Sequence, residues 1–87
     1  MDDLKRLRKN IDRIDEKVMR LIGERLRIAG RIAAAKKKLG LPIRQPMREK
    51  GVLSRTARIA KRAGVDEKFA ISLFRRIISH TRKIEKK

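Results

Sequence analysis

The sequence has no cysteine, tryptophan or tyrosine, and its only aromatic residues are Phe69 and Phe74. Without cysteine, neither a disulfide framework nor a cysteine-based zinc site is possible. The single histidine, His80, makes a histidine metal site or a catalytic triad implausible, and we interpret it as a surface residue. No apolar run approaches the roughly 18 residues of a membrane span, and the first residues lack the apolar core of a signal peptide. We therefore expect a cytoplasmic protein without metal, signal peptide or membrane segment.

Acidic residues are scarce as well. The 87 residues include 27 Lys and Arg but only 10 Asp and Glu, which gives a formal net charge of +17. A chain of this length forms a single small domain, taken here as residues 1–87. Such an excess of positive charge favours an anionic partner.

Proline is limited to Pro42 and Pro46, and apolar residues before Pro42 recur at alternating steps of three and four. This spacing is typical of a helix that lies along another helix. It predicts one helix from about Asp2 to Leu39, with Gly40 just past its end, roughly 55 Å long. The apolar stripe consists of Leu4, Leu7, Ile11, Ile14, Val18, Leu21, Ile28, Ile32, Ala35 and Leu39.

Two shorter helices are predicted after this break. Pro46 suits the first position of a helix, Gly64 ends it, and Asp66 is placed to cap the next one. No segment alternates as a strand does, so we predict an all-α fold of three helices, one very long and two shorter. The second helix is expected to bury Val52, Leu53, Thr56, Ala60 and Ala63, and the third Ala70, Leu73, Phe74, Ile77, Thr81 and Ile84.

The predicted first helix is far longer than the roughly 25 Å diameter of a compact domain of this size. Two short helices would leave much of its stripe exposed, and an exposed stripe of this kind is a self-association surface. We therefore expect an intertwined homodimer. The alternative is a monomeric hairpin in which the long helix breaks at Gly23 or Gly30.

Arg25 interrupts the stripe between Leu21 and Ile28. Burying an unpaired guanidinium costs several kcal/mol, so we expect an anion opposite Arg25, or else a buried ion pair that sets the helix register. Lys36 lies eleven residues later, close to a whole number of turns, so both side chains could hold one small anion. Arg8 lies too far along the helix to join them in one chain, but in an antiparallel dimer it could reach the partner's site.

Glu85 is the acidic residue that local structure explains least. It lies in the last turn of the third helix, where a negative charge opposes the helix dipole, and one turn after Thr81. It is either functional or paired at the surface with Arg82 or Lys86. Glu49, in the first turns of the second helix, is explained by the dipole alone.

Several segments together carry a family resemblance. They are Leu7-Arg8-x-x-Ile11-Asp12-x-Ile14-Asp15, Leu21-Ile22-x-Glu24-Arg25, Lys36, Pro42-Ile43, Arg48-Glu49 and Phe74-x-x-Ile77-Ile78. In this order and spacing they resemble the all-helical class of chorismate mutases over essentially the whole chain. Such enzymes convert chorismate to prephenate, a 3,3-rearrangement that feeds phenylalanine and tyrosine synthesis. The resemblance implies an intertwined homodimer of three-helix protomers with two shared sites and no cofactor.

The resemblance also implies roles for individual residues. Arg25 would hold one substrate carboxylate, and Arg8 of the partner chain would hold the other. Lys36 would hydrogen-bond the ether oxygen as the C–O bond breaks, and Arg48 would support or contact the substrate. Glu49 would accept a hydrogen bond from the substrate hydroxyl.

On the third helix, the resemblance implies that Thr81 and Glu85 close over the substrate. Two positions depart from the commonest family pattern. Gln45 stands where many members have an acid, which puts a hydroxyl contact there in doubt. Glu85 stands where many have glutamine, although some fungal members also use glutamate. To donate a hydrogen bond to the ether oxygen, Glu85 must be protonated, so we expect activity to fall as pH rises.

The chemistry agrees with the residues present. A pericyclic reaction needs no nucleophile, only a flexible dianion held in its reactive shape and donors aimed at the oxygen that gains negative charge. Arginines and a lysine in an apolar helical seam supply both.

Other functions stay open. The net charge is typical of a nucleic-acid-binding helical protein, although the lack of tryptophan and tyrosine for base stacking weighs against this. An isochorismate–pyruvate lyase on the same scaffold is a second alternative. The pair Arg48-Glu49 favours the mutase over this lyase. A mutase module of a larger bifunctional enzyme is a third.

Overall fold

The computed structural model describes residues 2–86 and contains three α-helices. Helix α1 spans Asp2–Leu39, α2 spans Pro46–Ala63 and α3 spans Glu67–Glu85. No strand occurs between residues 2 and 86, so the predicted all-α class is confirmed. Over the same residues, none of the helices combines the length and the apolar character that a bilayer crossing needs.

Helix α1 runs through Gly23 and Gly30 without interruption. The alternative of a hairpin broken at either glycine is therefore wrong. The molecule measures 58 × 24 × 16 Å, and its long dimension is that of α1. The last turn of α1 carries three lysines, whose positive charges interact favourably with the negative end of the helix dipole. They are Lys36, Lys37 and Lys38.

The helix ends follow local sequence signals. Pro46 occupies the start of α2, and Gly64 ends α2 at φ 73°, a left-handed conformation that glycine adopts without strain. The Asp66 side chain accepts a hydrogen bond from the Phe69 backbone N–H at 2.9 Å, so its predicted role as the cap of α3 is confirmed. These two ends turn the chain back on itself, and α3 packs against both α2 and α1.

The core of a single copy is small. The predicted burial of Val52, Thr56, Ala60 and Ala70 is confirmed, but Ala63 and Leu73 are exposed. Ala63 is the last residue of α2, where the chain turns away at Gly64. Ile78 was not among the residues expected to be buried, yet it is only 8% exposed. Because α3 contacts two helices, its buried face is wider than one stripe.

The apolar stripe of α1 is largely uncovered. From Leu4 to Leu21, every apolar residue of the stripe exposes between 49% and 62% of its surface. A half-exposed stripe of this length is unusual for a helix that functions alone. Its residues in this part of α1 are Leu4, Leu7, Ile11, Ile14, Val18 and Leu21.

Candidate active site

A cavity of about 370 Å³ lies between the C-terminal half of α1, the following loop, the start of α2 and the end of α3. This volume suits a small organic molecule. Its apolar lining consists of Ile28, Ala29, Ile32, Ile43, Val52 and Ile78. Its charged lining consists of five cationic side chains, Arg25, Lys36, Arg48, Arg55 and Arg82, and two carboxylates, Glu49 and Glu85.

The cavity brings together all but one of the residues that the sequence singled out. Those that line it are Arg25, Lys36, Gln45, Arg48, Glu49, Thr81 and Glu85. The exception is Arg8, which is exposed on the N-terminal part of α1. It precedes Arg25 by seventeen residues, or about 26 Å along the helix axis. A single copy therefore cannot bring Arg8 to its own cavity.

One wall of the cavity is formed by three arginines, Arg25, Arg48 and Arg55. The Arg25 guanidinium carbon lies 5.8 Å from the centre of the Phe74 ring, which fixes its direction by a cation–π contact. Burial lowers the pKa of Arg25, and the nearby charges of Arg55 and Arg48 lower it further. Among residues 2–86, none of the three forms an ion pair, so an intrachain ion pair at Arg25 is excluded. This wall therefore carries positive charge that no carboxylate among residues 2–86 balances.

Lys36 connects three parts of the fold. Its ammonium donates to Glu85 Oε2 at 2.9 Å and to the Ile43 carbonyl at 2.7 Å. The side chains of Lys36 and Glu85 are 14% and 9% exposed, so this pair is shielded from water. The alternative of a surface pair between Glu85 and Arg82 or Lys86 is therefore wrong. The last turn of α3 lies against the C-terminal end of α1, where Lys36 is the nearest cation.

Arg82 of α3 instead binds Glu49 of α2. Arg82 Nε donates to Glu49 Oε2 at 2.9 Å, and its Nη2 donates to Oε1, a two-point contact. Arg44 Nε lies 4.0 Å from the same Oε1. The Arg82 hydrogen bond holds the pKa of Glu49 below its usual range against the opposing effect of burial, and Glu49 raises the pKa of Arg82. The helix dipole is therefore only part of the reason why an acid occupies this position.

Two neutral side chains complete the lining. Thr81 Oγ1 donates to the Ile77 carbonyl at 2.8 Å, so the hydroxyl oxygen can still accept a hydrogen bond. Gln45 precedes α2, and its side chain makes no capping hydrogen bond. Within residues 2–86, no three His, Cys, Asp or Glu side chains are grouped to hold a metal ion.

Sequence reasoning missed two charged residues of the cavity, Arg55 and Arg82. Arg55 follows Arg48 by seven residues, two helical turns, so their shared face was available as a signal. Arg82 was considered only as a surface partner of Glu85. Nothing in the sequence connects it to Glu49, because that contact depends on how α3 packs against α2.

Comparison with known proteins places the chain in a family. Residues 7–86 match the family described as chorismate mutase type II. A chorismate mutase of Methanocaldococcus jannaschii is 38% identical over 99% of the chain and 87% of that protein. A bifunctional chorismate mutase/prephenate dehydratase of Aquifex aeolicus is 42% identical over all of the chain and 25% of that protein. A 4-amino-4-deoxychorismate mutase of Streptomyces venezuelae is 34% identical over 97% of the chain and 82% of that protein. The chain belongs to the chorismate mutase type II family.

Proposed function

We propose that the chain is an isomerase that rearranges chorismate to prephenate in this cavity, without a cofactor. The observation that carries the proposal is the wall of Arg25, Arg48 and Arg55, which have no carboxylate partner among residues 2–86. Chorismate carries two carboxylates, and an arginine fork binds a carboxylate through two parallel hydrogen bonds. The apolar residues opposite the arginines suit its ring.

The reaction itself requires no proton transfer to or from the protein. One C–O bond breaks while one C–C bond forms within a single molecule, so the site contributes by holding the substrate in its reactive shape. Arginines bound to the two carboxylates and an apolar lining around the ring would both reduce the number of shapes available to the substrate. The lining residues include no Cys, Ser or His, and this chemistry needs none of them.

Lys36 is the donor for the ether oxygen, where negative charge grows as the C–O bond breaks. An ammonium has three N–H donors, and two of those of Lys36 are occupied by Glu85 and the Ile43 carbonyl. These two contacts fix the side chain, and the third donor is left for the substrate. A fixed donor at a developing anion contributes about 100- to 1,000-fold in rate.

Glu85 acts as a second donor to the same oxygen when it carries a proton. In its ionised form it accepts from Lys36 at 2.9 Å and has no proton to donate. The rate is therefore expected to fall as pH rises.

The active form is an intertwined homodimer. Two copies of α1 that lie antiparallel along the exposed stripe from Leu4 to Leu21 would cover it. In that arrangement Arg8, which is exposed and distant from its own cavity, reaches the cavity of the partner and binds the second carboxylate. Each dimer then has two sites, each built from both chains.

The nucleic-acid-binding and lyase alternatives receive no support. Phe74 packs against Arg25, and Phe69 is the one other aromatic residue, so the chain has little on which bases could stack. The three relatives reported above all have the word mutase in their names, and none of the three is named as an isochorismate–pyruvate lyase. One of these names does define a second substrate, in which an amino group replaces the hydroxyl of chorismate.

The direct test is to incubate the purified protein with chorismate from pH 5 to pH 8 and to separate substrate and product by chromatography. We expect prephenate, formed more slowly as pH rises. The variant Arg27→Met is a matched control, because Arg27 is exposed on α1 and does not line the cavity. A folded protein that forms no prephenate at any pH would contradict the proposal.

A further inference from the structure

We propose that Arg82 determines the specificity of the cavity, because it neutralises Glu49 and so selects a substrate with a hydroxyl rather than an ammonium group beside that carboxylate. The inference rests on the proposed function and on the role that the family resemblance implies for Glu49, which is to accept a hydrogen bond from the substrate hydroxyl. Arg82 acts through Glu49 and is a positioning residue.

The geometry of the Arg82–Glu49 pair leaves Glu49 able to accept a hydrogen bond from a neutral hydroxyl. Arg82 donates from two nitrogens to the two oxygens of the carboxylate, and this fork fixes the carboxylate plane. Each carboxylate oxygen has two lone pairs, so each retains one after Arg82 has bound. A neutral hydroxyl needs only such a lone pair, in a fixed direction.

An ammonium group needs more than a lone pair, because it loses its hydration and requires a compensating negative charge. The charge of Glu49 is already balanced by Arg82, and Arg44 adds positive charge at 4.0 Å. The other carboxylate of the cavity, Glu85, is balanced by Lys36. An ammonium would therefore enter a cavity of excess positive charge in which no carboxylate is free.

A Glu49 without Arg82 would behave differently. Its carboxylate would keep a full negative charge and would attract an ammonium more strongly than a hydroxyl. Since the hydroxyl is neutral, its binding depends far less on that charge. Removal of Arg82 is thus expected to change the ratio of the two substrates, and not only the overall rate.

The experiment measures kcat/KM for chorismate and for 4-amino-4-deoxychorismate at pH 7 in the wild type and in Arg82→Met. If the amino compound is not turned over, its inhibition constant against chorismate replaces kcat/KM. We expect the wild type to prefer chorismate, and Arg82→Met to reduce that preference by about tenfold or more. Arg82→Lys retains the charge and is expected to retain most of the preference. Arg76→Met, an exposed α3 arginine outside the cavity, is the control for general effects.

A substitution of the other partner of the pair keeps the test decisive if Arg82→Met fails to fold. Glu49→Gln leaves Arg82 unpaired, so it is expected to increase the preference for chorismate over the amino compound. A purely structural role of the pair, in which it only ties α2 to α3, predicts equal losses for both substrates in Arg82→Met. Equal losses, or an unchanged ratio in Glu49→Gln, would overturn the inference. A folded wild type without chorismate turnover would overturn the proposed function, and this inference with it.

Discussion

Replacing Arg25 by methionine is expected to weaken substrate binding without loss of stability. Arg25 has no carboxylate partner among residues 2–86, and Arg48 and Arg55 repel it. Methionine loses the cation–π contact with Phe74, about 0.5–1 kcal/mol, but a sulfur–aromatic contact of about 0.3–1.5 kcal/mol offsets it. Since repulsion is also relieved, the free energy of unfolding should change by less than about 0.5 kcal/mol.

The effect on activity should be far larger. Loss of one partner from a hydrogen-bonded charge pair costs about 2–5 kcal/mol, which corresponds to roughly 30- to 4,000-fold in kcat/KM for chorismate. Arg25→Lys keeps the charge but not the fork and should lie between wild type and Arg25→Met.

The assay for Arg25→Met combines steady-state kinetics with urea denaturation of the same preparations, and Arg27→Met is the control. Retained activity would show that Arg25 does not bind the substrate. A loss of stability above about 1 kcal/mol would show that Arg25 supports the fold instead, because it would exceed the change of about 0.5 kcal/mol expected for this substitution.

Four further outcomes are expected. Lys36→Met should lower kcat by about 100-fold or more with a smaller rise in KM, and a change confined to KM would contradict its role at the ether oxygen. Glu85→Gln should flatten the fall of kcat with rising pH; an unchanged profile would exclude Glu85 as the proton-bearing donor. Because Arg82 lowers the pKa of Glu49, their contribution to stability is present above the ordinary value of 4.5 and is lost as pH falls through the lower folded value. The free energy of unfolding should therefore fall less between pH 7 and pH 3 in Arg82→Met than in wild type. An equal fall would show that Arg82 does not lower the pKa of Glu49. Ile14→Asp, on the exposed stripe, should give an inactive monomer by analytical ultracentrifugation, whereas an active dimer would place the interface elsewhere.

The regular parts of the fold could be predicted because they depend on local sequence. The steps of three and four residues in the first segment, the glycines at 40 and 64, and the Asp66 cap each specify a helix or its end. Burial was predicted less well, as Leu73 and Ile78 show. The width of the buried face of α3 depends on its contacts with two other helices, which one periodicity does not describe.

The site followed the same division. Arg25 and Lys36 could be paired from the sequence, since both lie on one face of one helix. The partner of Glu85 could not, because Lys36 is 49 positions away and reaches it only through the packing of α3 on α1. The same holds for Glu49 and Arg82, 33 positions apart on different helices. Ion pairs between elements depend on tertiary geometry and not on local spacing.

The shared active site is tested most directly by mixing two inactive variants, Arg8→Ala and Arg25→Ala. After joint denaturation and refolding, about half of the dimers contain one chain of each kind, and one of their two sites has both arginines intact. The mixture should then recover about one quarter of the wild-type activity per chain with chorismate, while each variant refolded alone stays inactive. No recovery in a mixture that contains folded mixed dimers would show that Arg8 does not act in the cavity of its partner.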